Sequence, residues 1–296
     1  MDVALQNRRS AARLALCATF GAFLVSLTAL PAAGPAQAAP ANAAGAAVGA
    51  AAGAAANILP HRAVYKMSLQ SARNSSKVSD VRGRMLFEWA DACDGWTTEQ
   101  RFQLRFVYAE GDEMAMITNY TTWEAKDGQR YRFNVRKLIN GEEDEEVRGD
   151  ARLAKDGTGT AAFSKPEPQD MELPPNTMFP TAHTLAVLDH ASAGDTFFNR
   201  VVFDGADSEG ATEVSTVIGA AAAIKEDGAD PLLKGKKAWP VRMAFFPLKS
   251  DSAQPEYEMS LRLLQNGVAE SMQIDYGDFT VNAILEKVEA LPKSGC

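Results

Sequence analysis

Trp96-Thr97-Thr98-Glu99-Gln100-Arg101-Phe102-Gln103-Leu104-Arg105-Phe106-Val107-Tyr108 decides the fold class. Trp96, Phe102, Leu104, Phe106 and Tyr108 fall on one phase of a period of two. Glu99, Arg101, Gln103 and Arg105 fall on the other. A strand places its alternate side chains on opposite faces, so this pattern gives one apolar face and one polar face; a helix would scatter both sets around its circumference. The run ends at Glu110-Gly111-Asp112, a tight-turn signal.

The same alternation extends in both directions. Upstream, Ala63, Tyr65, Met67 and Leu69 share a phase, as do Val81, Met85, Phe87 and Trp89 opposite Arg82, Arg84 and Glu88. Downstream, strand-like runs cover Glu113–Glu124, Gln129–Ile139, Asp195–Phe203, Ala211–Ile218, Trp239–Leu248, Pro255–Leu264, Val268–Tyr276 and Phe279–Leu285. Asp127-Gly128, Asn140-Gly141, Asp156-Gly157, Asp227-Gly228 and Asn266-Gly267 supply turns between runs. Many short strands joined by tight turns predict an all-β fold: a single large antiparallel sheet, spiralled or barrel-like, whose closure hides most of its edge. Residues 58–296 form this one domain, without an internal repeat or a change of composition to divide it.

One segment departs from period two. Pro180-Thr181-Ala182-His183-Thr184-Leu185-Ala186-Val187-Leu188-Asp189-His190-Ala191 predicts a helix that Gly194 stops and that packs on or plugs the sheet. Pro174-Pro175-Asn176-Thr177-Met178-Phe179-Pro180 reads as a rigid approach loop, with Thr177 or Thr181 as the expected cap.

Before the domain, Arg8, Arg9 and Arg13 precede an apolar stretch from Leu14 to Leu30 and the small-residue site Ala36-Gln37-Ala38. This is the pattern of a cleaved signal peptide over residues 1–38. Residues 39–57, nearly all Ala and Gly, read as a flexible linker. The net charge is −8, and the leader's three arginines against Asp2 leave −10 on the remainder. An acidic chain of this kind disfavours nucleic acid or an anionic membrane surface as a partner, since both need a basic face.

Chemistry-bearing motifs are scarce. The sequence holds no Gly-x-Ser-x-Gly, phosphate loop, His-Glu-x-x-His or Cys-x-x-Cys. Of three histidines, His61 opens the first strand. His183 and His190 stand seven positions apart on the helix, about 10.5 Å of rise, too far to ligate one ion. No catalytic, cofactor-binding or metal residue is therefore assigned. The acidic run Glu142-Glu143-Asp144-Glu145-Glu146 lacks the spaced ligands of a calcium loop and reads as a solvated, charge-protected strand edge. A sheet of more than ten strands encloses more space than a few side-chain layers require, so an apolar interior cavity is the alternative to a filled core.

Once Cys17 leaves with the leader, two cysteines remain, Cys93 and the last residue, Cys296, 203 positions apart. A frayed terminus gives cysteine no packing role, so the simplest expectation is a disulfide in an oxidising compartment. By the chain-entropy account so long a loop contributes about 5 kcal/mol.

Several motifs together resemble the cell-envelope integrity protein EipB family of bacterial periplasmic proteins. They are Leu59-Pro60-His61-Arg62-Ala63-Val64-Tyr65, Asp91-Ala92-Cys93-Asp94-Gly95-Trp96, Thr122-Trp123-Glu124, Arg148-Gly149, Leu173-Pro174-Pro175, Phe179-Pro180-Thr181-Ala182-His183, Phe203-Asp204-Gly205 and the terminal Cys296. Asn176 departs from the glycine expected there, although Asn also tolerates a left-handed backbone. The resemblance implies a monomeric periplasmic β-spiral of about fourteen strands, a Cys93–Cys296 disulfide and a role in maintaining the envelope, with no catalytic residues to carry over. The expected function is non-enzymatic, through an envelope component or a periplasmic protein partner. The rivals are a carrier or sensor of an apolar, lipid-like ligand held in the interior and, last, a hydrolase of envelope polymers using His183 or His190.

Overall fold

The computed structural model describes Gly53 and residues 57–224, 230–250 and 252–296. The expected signal peptide, almost all of the linker and the Asp227-Gly228 turn lie outside the described residues.

From residue 57 onward the described residues form sixteen strands and one helix in order: β1 (His61–Ala72), β2 (Val78–Asp91), β3 (Gly95–Tyr108), β4 (Glu113–Ala125), β5 (Arg130–Ile139), β6 (Glu142–Leu153), β7 (Gly159–Lys165), β8 (Gln169–Leu173), β9 (Thr177–Met178), α1 (Pro180–Ala193), β10 (Phe197–Val202), β11 (Thr212–Ile218), β12 (Ala222–Ala223), β13 (Lys237–Pro247), β14 (Tyr257–Leu264), β15 (Ala269–Asp275) and β16 (Phe279–Ala290). Fourteen of these strands are five residues or longer; β9 and β12 have two each. All belong to one sheet, of order β8-β7-β6-β5-β4-β3-β2-β1-β16-β15-β14-β13-β11-β10-β9, with β12 on β13.

The fold is a barrel-like antiparallel sheet with two wings. β1 to β8 meander away from the centre, and β16 back to β9 lead away on the other side. The first and last strands meet at the centre, in a register running from His61↔Ala290 to Ala72↔Phe279. The turns keep the positions expected of them: Gly111, Gly128, Gly157 and Gly267 have positive φ, and Asn140 and Gly141 both do, as a two-residue hairpin turn between right-twisted strands requires.

This topology puts the free edges, β8 and β9, in mid-sequence, joined only by Pro174-Pro175-Asn176. Among the described residues no ladder connects the two edges, and β9 pairs with β10, in parallel. Aromatic packing closes the gap instead. Phe179, just before α1, and Phe203, just after β10, are both fully buried among Tyr131 and Phe133 of β5 and Phe163 of β7. Phe179 stacks on Tyr131 at 4.8 Å between ring centres, and Phe203 meets Phe133 edge-on at 5.6 Å. The Tyr120 and Tyr131 hydroxyls both donate to the backbone carbonyl of Asp204, the Tyr131 bond being 2.7 Å. Gly205 lies so close to the Phe133 ring, at φ 67°, that a side chain there would collide with it.

α1 fills the space between the wings. Leu185, Val187, Leu188 and Ala191 join one core cluster with Trp89, Trp96, Phe198, Val214 and Trp239. A second cluster, around Tyr65, Met85, Phe106 and Val281, lines the seam side. Burying Phe179 anchors the β9 edge to the far wing, so Phe179→Ala should cost about 3–5 kcal/mol in chemical denaturation. An unchanged midpoint would show that the wings are closed by something else.

Candidate functional site

The end of β4 ties two features together. Its inward positions, Met116, Thr118, Tyr120, Thr122 and Glu124, are all buried. Glu124 is a carboxylate in an apolar register, and it points at the start of α1. Its Oε2 accepts from the Thr181 N–H and its Oε1 from the Ala182 N–H, both at 2.7 Å. The helix begins after Phe179, whose side chain makes no capping hydrogen bond. The cap expected from Thr177 or Thr181 is thus supplied from another strand, because Thr177 donates to the Pro174 carbonyl at 2.6 Å and holds the approach loop instead. Glu124 compensates free N–H groups and the positive end of the helix dipole. Burial pushes its pKa up to about 7, against the lowering pull of the Thr181 and Ala182 N–H groups. Desolvation, then the nearby Asp207, pushes the half-buried Asp204 up to about 6.

Two residues beyond Glu124, Lys126 faces the C-terminal tail. Its Nζ pairs with Asp91 at 2.6 Å and lies 5.1 Å above the Trp96 ring. Ser294 donates to the other Asp91 oxygen at 2.7 Å, and the Leu291 N–H bonds the Pro60 carbonyl at 2.7 Å. Lys126 and Ser294 together hold the Asp91 pKa below its usual value. The tail therefore crosses β1 and reaches the β2–β3 turn, where Cys93 (φ 60°) and Cys296 stand at disulfide distance with their Cα atoms 5.8 Å apart. The pair does not join two unpaired ends of the sheet, since β1 and β16 are already hydrogen-bonded along their length. It lies across that seam; the unpaired edges, β8 and β9, are elsewhere.

The histidines do not converge on a site. His61 is buried, with Nδ1 2.7 Å from the Leu59 carbonyl, and burial lowers its pKa. His183 and His190 both pack against the Phe198 ring, at 5.4 and 4.5 Å between centres. Burial, then Arg200, lowers the His183 pKa to about 4, so its ring is neutral. His190 Nδ1 sits 2.8 Å from Asp195. Among the described residues no group of three or more His, Cys, Asp or Glu is arranged to hold a metal ion. In the acidic run, Glu145 and Asp144 pair with the buried Lys137 at 2.5 and 3.3 Å, and Glu143 pairs with Arg136 at 2.7 Å. The run lies beyond the end of β7, which pairs with β6 only from Arg148 onward.

An EipB-like family model matches residues 52–292. The chain belongs to the EipB-like family. It is 33% identical over 248 residues to the cell envelope integrity protein EipB of Brucella abortus (strain 2308), covering 81% of this chain and 88% of that protein. A crystal structure of a β-barrel-like protein of the domain of unknown function DUF1849, also from Brucella abortus, superposes with a TM-score of 0.74 at 32% identity, over 80% of this chain and 99% of that one. In this EipB-like chain, sequence reasoning missed Glu124 as the helix anchor. The signal was weak, because Thr118 and Thr122 share the phase of Glu124 while Ile117 and Trp123 lie on the other.

Glu124 binds its proton more tightly when folded than at its ordinary value of 4.5. Its stabilising contribution is thus complete at low pH and lost as pH rises through about 7. His61 and His183, lowered on folding, titrate with the opposite sign. Comparison with Glu124→Gln cancels them. The stability of the Gln variant relative to wild type should rise by about 3 kcal/mol between about pH 5 and about pH 8. A difference that stays flat in denaturant titrations would mean that the helix N–H groups hold Glu124 at an ordinary pKa.

Proposed function

We propose that this chain is a non-enzymatic periplasmic protein that supports cell-envelope integrity by binding an envelope component or a protein partner. One observation carries the non-enzymatic part. Three ionisable groups of the interior have structural contacts: Glu124 with the N–H groups of α1, the half-buried Asp204 carboxylate with the Ala206 N–H, and His183 as a neutral ring against Phe198. None of these is paired as nucleophile and base. The envelope role is supported by the 33% identity to a protein named for it. The signal-like leader and a cysteine pair at disulfide distance fit an exported chain.

The packed clusters inside the sheet, one of them built on α1, favour contacts on the outside of the sheet over carriage of an apolar ligand within it. Cells lacking the protein should become sensitive to detergent, and the wild-type gene should restore resistance. In the oxidised protein, Cys296→Ser should lower stability by up to about 5 kcal/mol. It should also weaken complementation as the tail is freed from the β2–β3 turn. Normal detergent resistance in the deletion strain would remove the envelope role. Equal stability of wild type and Cys296→Ser would remove the disulfide.

A further inference from the structure

The outer face of the β11–β13–β14–β15–β16 wing is hollowed. The hollow has a volume of about 480 Å³ and is open to solvent. Small residues make its floor: Ser260 of β14 and Ser271 of β15, with Gly219 at the end of β11. Gln273 and Asn282 add amides, their side chains 3.4 Å apart. Two arginines reach over the floor, and each already has a carboxylate: Arg242 with Glu258 at 2.5 Å and Arg262 with Glu270 at 2.7 Å. The surface therefore offers many hydrogen-bond donors and acceptors, and each of its two cations is paired with a carboxylate beside the hollow.

Its rim is apolar. Five large apolar residues are well exposed among the described residues, and three of them lie here. Val217 and Ile284, 52% and 50% exposed, line the hollow from opposite sides. Phe197, 58% exposed, is the cross-strand partner of Val217 and extends that wall with an aromatic ring. Exposed apolar side chains beside a cleft are what a binding surface presents.

The combination selects a ligand class. A phosphate or an acidic polymer is best held by uncompensated cations, and each of these arginines already holds a carboxylate that such a ligand would have to displace. An acyl chain would strip water from serine, amide and guanidinium groups without replacing their hydrogen bonds. A neutral oligosaccharide suits both parts. Its hydroxyl and amide groups match the floor, and the C–H faces of its rings match Phe197, Val217 and Ile284. The five strands span about 19 Å, room for several sugar rings in a row. We infer that this hollow binds a neutral glycan chain. This rests on the reading of the chain as an envelope-binding protein and names the component.

Amide NMR titration with neutral oligosaccharides, tetramers of N-acetylglucosamine and of glucose, tests it on the purified mature protein. At least one of them should shift the Ser260, Ser271, Gln273 and Asn282 resonances in the millimolar range, with little dependence on salt. Phe197→Ala removes an exposed ring and leaves the core untouched; it should weaken binding about three- to tenfold. Ser260→Tyr, which fills the floor, should abolish it while circular dichroism stays unchanged. Silence of both glycans, shifts confined to other faces, unchanged affinity in Phe197→Ala, or binding only to an acidic polysaccharide or an uncharged peptide would each overturn the inference. Glycan failure with a detergent-sensitive deletion strain sinks this inference alone. Glycan binding with a resistant strain sinks the envelope role instead.

Discussion

The pairing of β1 with β16 is the constraint from which the rest of the structure follows. Bringing the first and last strands together at the centre of the sheet commits both ends of the strand sequence to the middle and pushes the edges into mid-sequence. Each wing can then grow by hairpins, the lowest-cost connection for antiparallel strands. The long-range cost falls on the seam, where partners are more than 200 residues apart, as in His61↔Ala290. Such a loop is expensive to close but only slowly more so with length. Tyr65, whose hydroxyl reaches across to the Ala269 carbonyl at 2.8 Å, and the buried apolar cluster on that side supply what holds it.

Edges in mid-sequence pose the second problem. β8 and β9 are consecutive in the chain, yet three residues with two prolines cannot turn them into a hairpin. The fold solves this with side chains. Phe179 and Phe203 bracket the segment from α1 to β10 and enter the aromatic cluster of the opposite wing, while the Asp204 carbonyl takes both tyrosine hydroxyls. α1 is held between these points, and its N-terminus is fixed by Glu124 from a strand of that same wing. The helix is thus a strut between wings. Glu124 costs desolvation where it sits, but without it the first turn of α1 would bury N–H groups with no acceptor.

Much of this was legible in the sequence, and what was not has physical reasons. Long strands with bulky residues at every second position, β2 and β3 above all, announce themselves, and so does a helix bounded by Pro180 and Gly194 (φ 86°). β7 and β8 do not. β7, Gly159-Thr160-Ala161-Ala162-Phe163-Ser164-Lys165, is short and has one bulky residue to mark its phase, and β8, Gln169-Asp170-Met171-Glu172-Leu173, is mostly polar, because an edge strand buries little and carries charge to resist pairing. β6 opens on five acids, whose strand character comes from Arg136 and Lys137 on the neighbouring strand. The role of Glu124 needed a partner 57 residues away. The outer hollow was invisible for a simpler reason. Serines and amides on the polar phase of a strand look like ordinary solvated surface until sheet curvature gathers them.

The position of the cysteine pair follows from the same seam. The tail leaves β16, crosses β1 and reaches the β2–β3 turn, so it spans a junction that backbone hydrogen bonds already close. A bond there adds little new contact to the native sheet. Its effect falls on the unfolded chain, where it would keep the two halves of the costliest pairing near each other. The polar contacts of the tail, Ser294 and Lys126 on Asp91, act differently. They position the tail locally and leave the long-range entropy untouched. A disulfide at this position would protect the long-range β1–β16 pairing, which local sequence alone does not bring together.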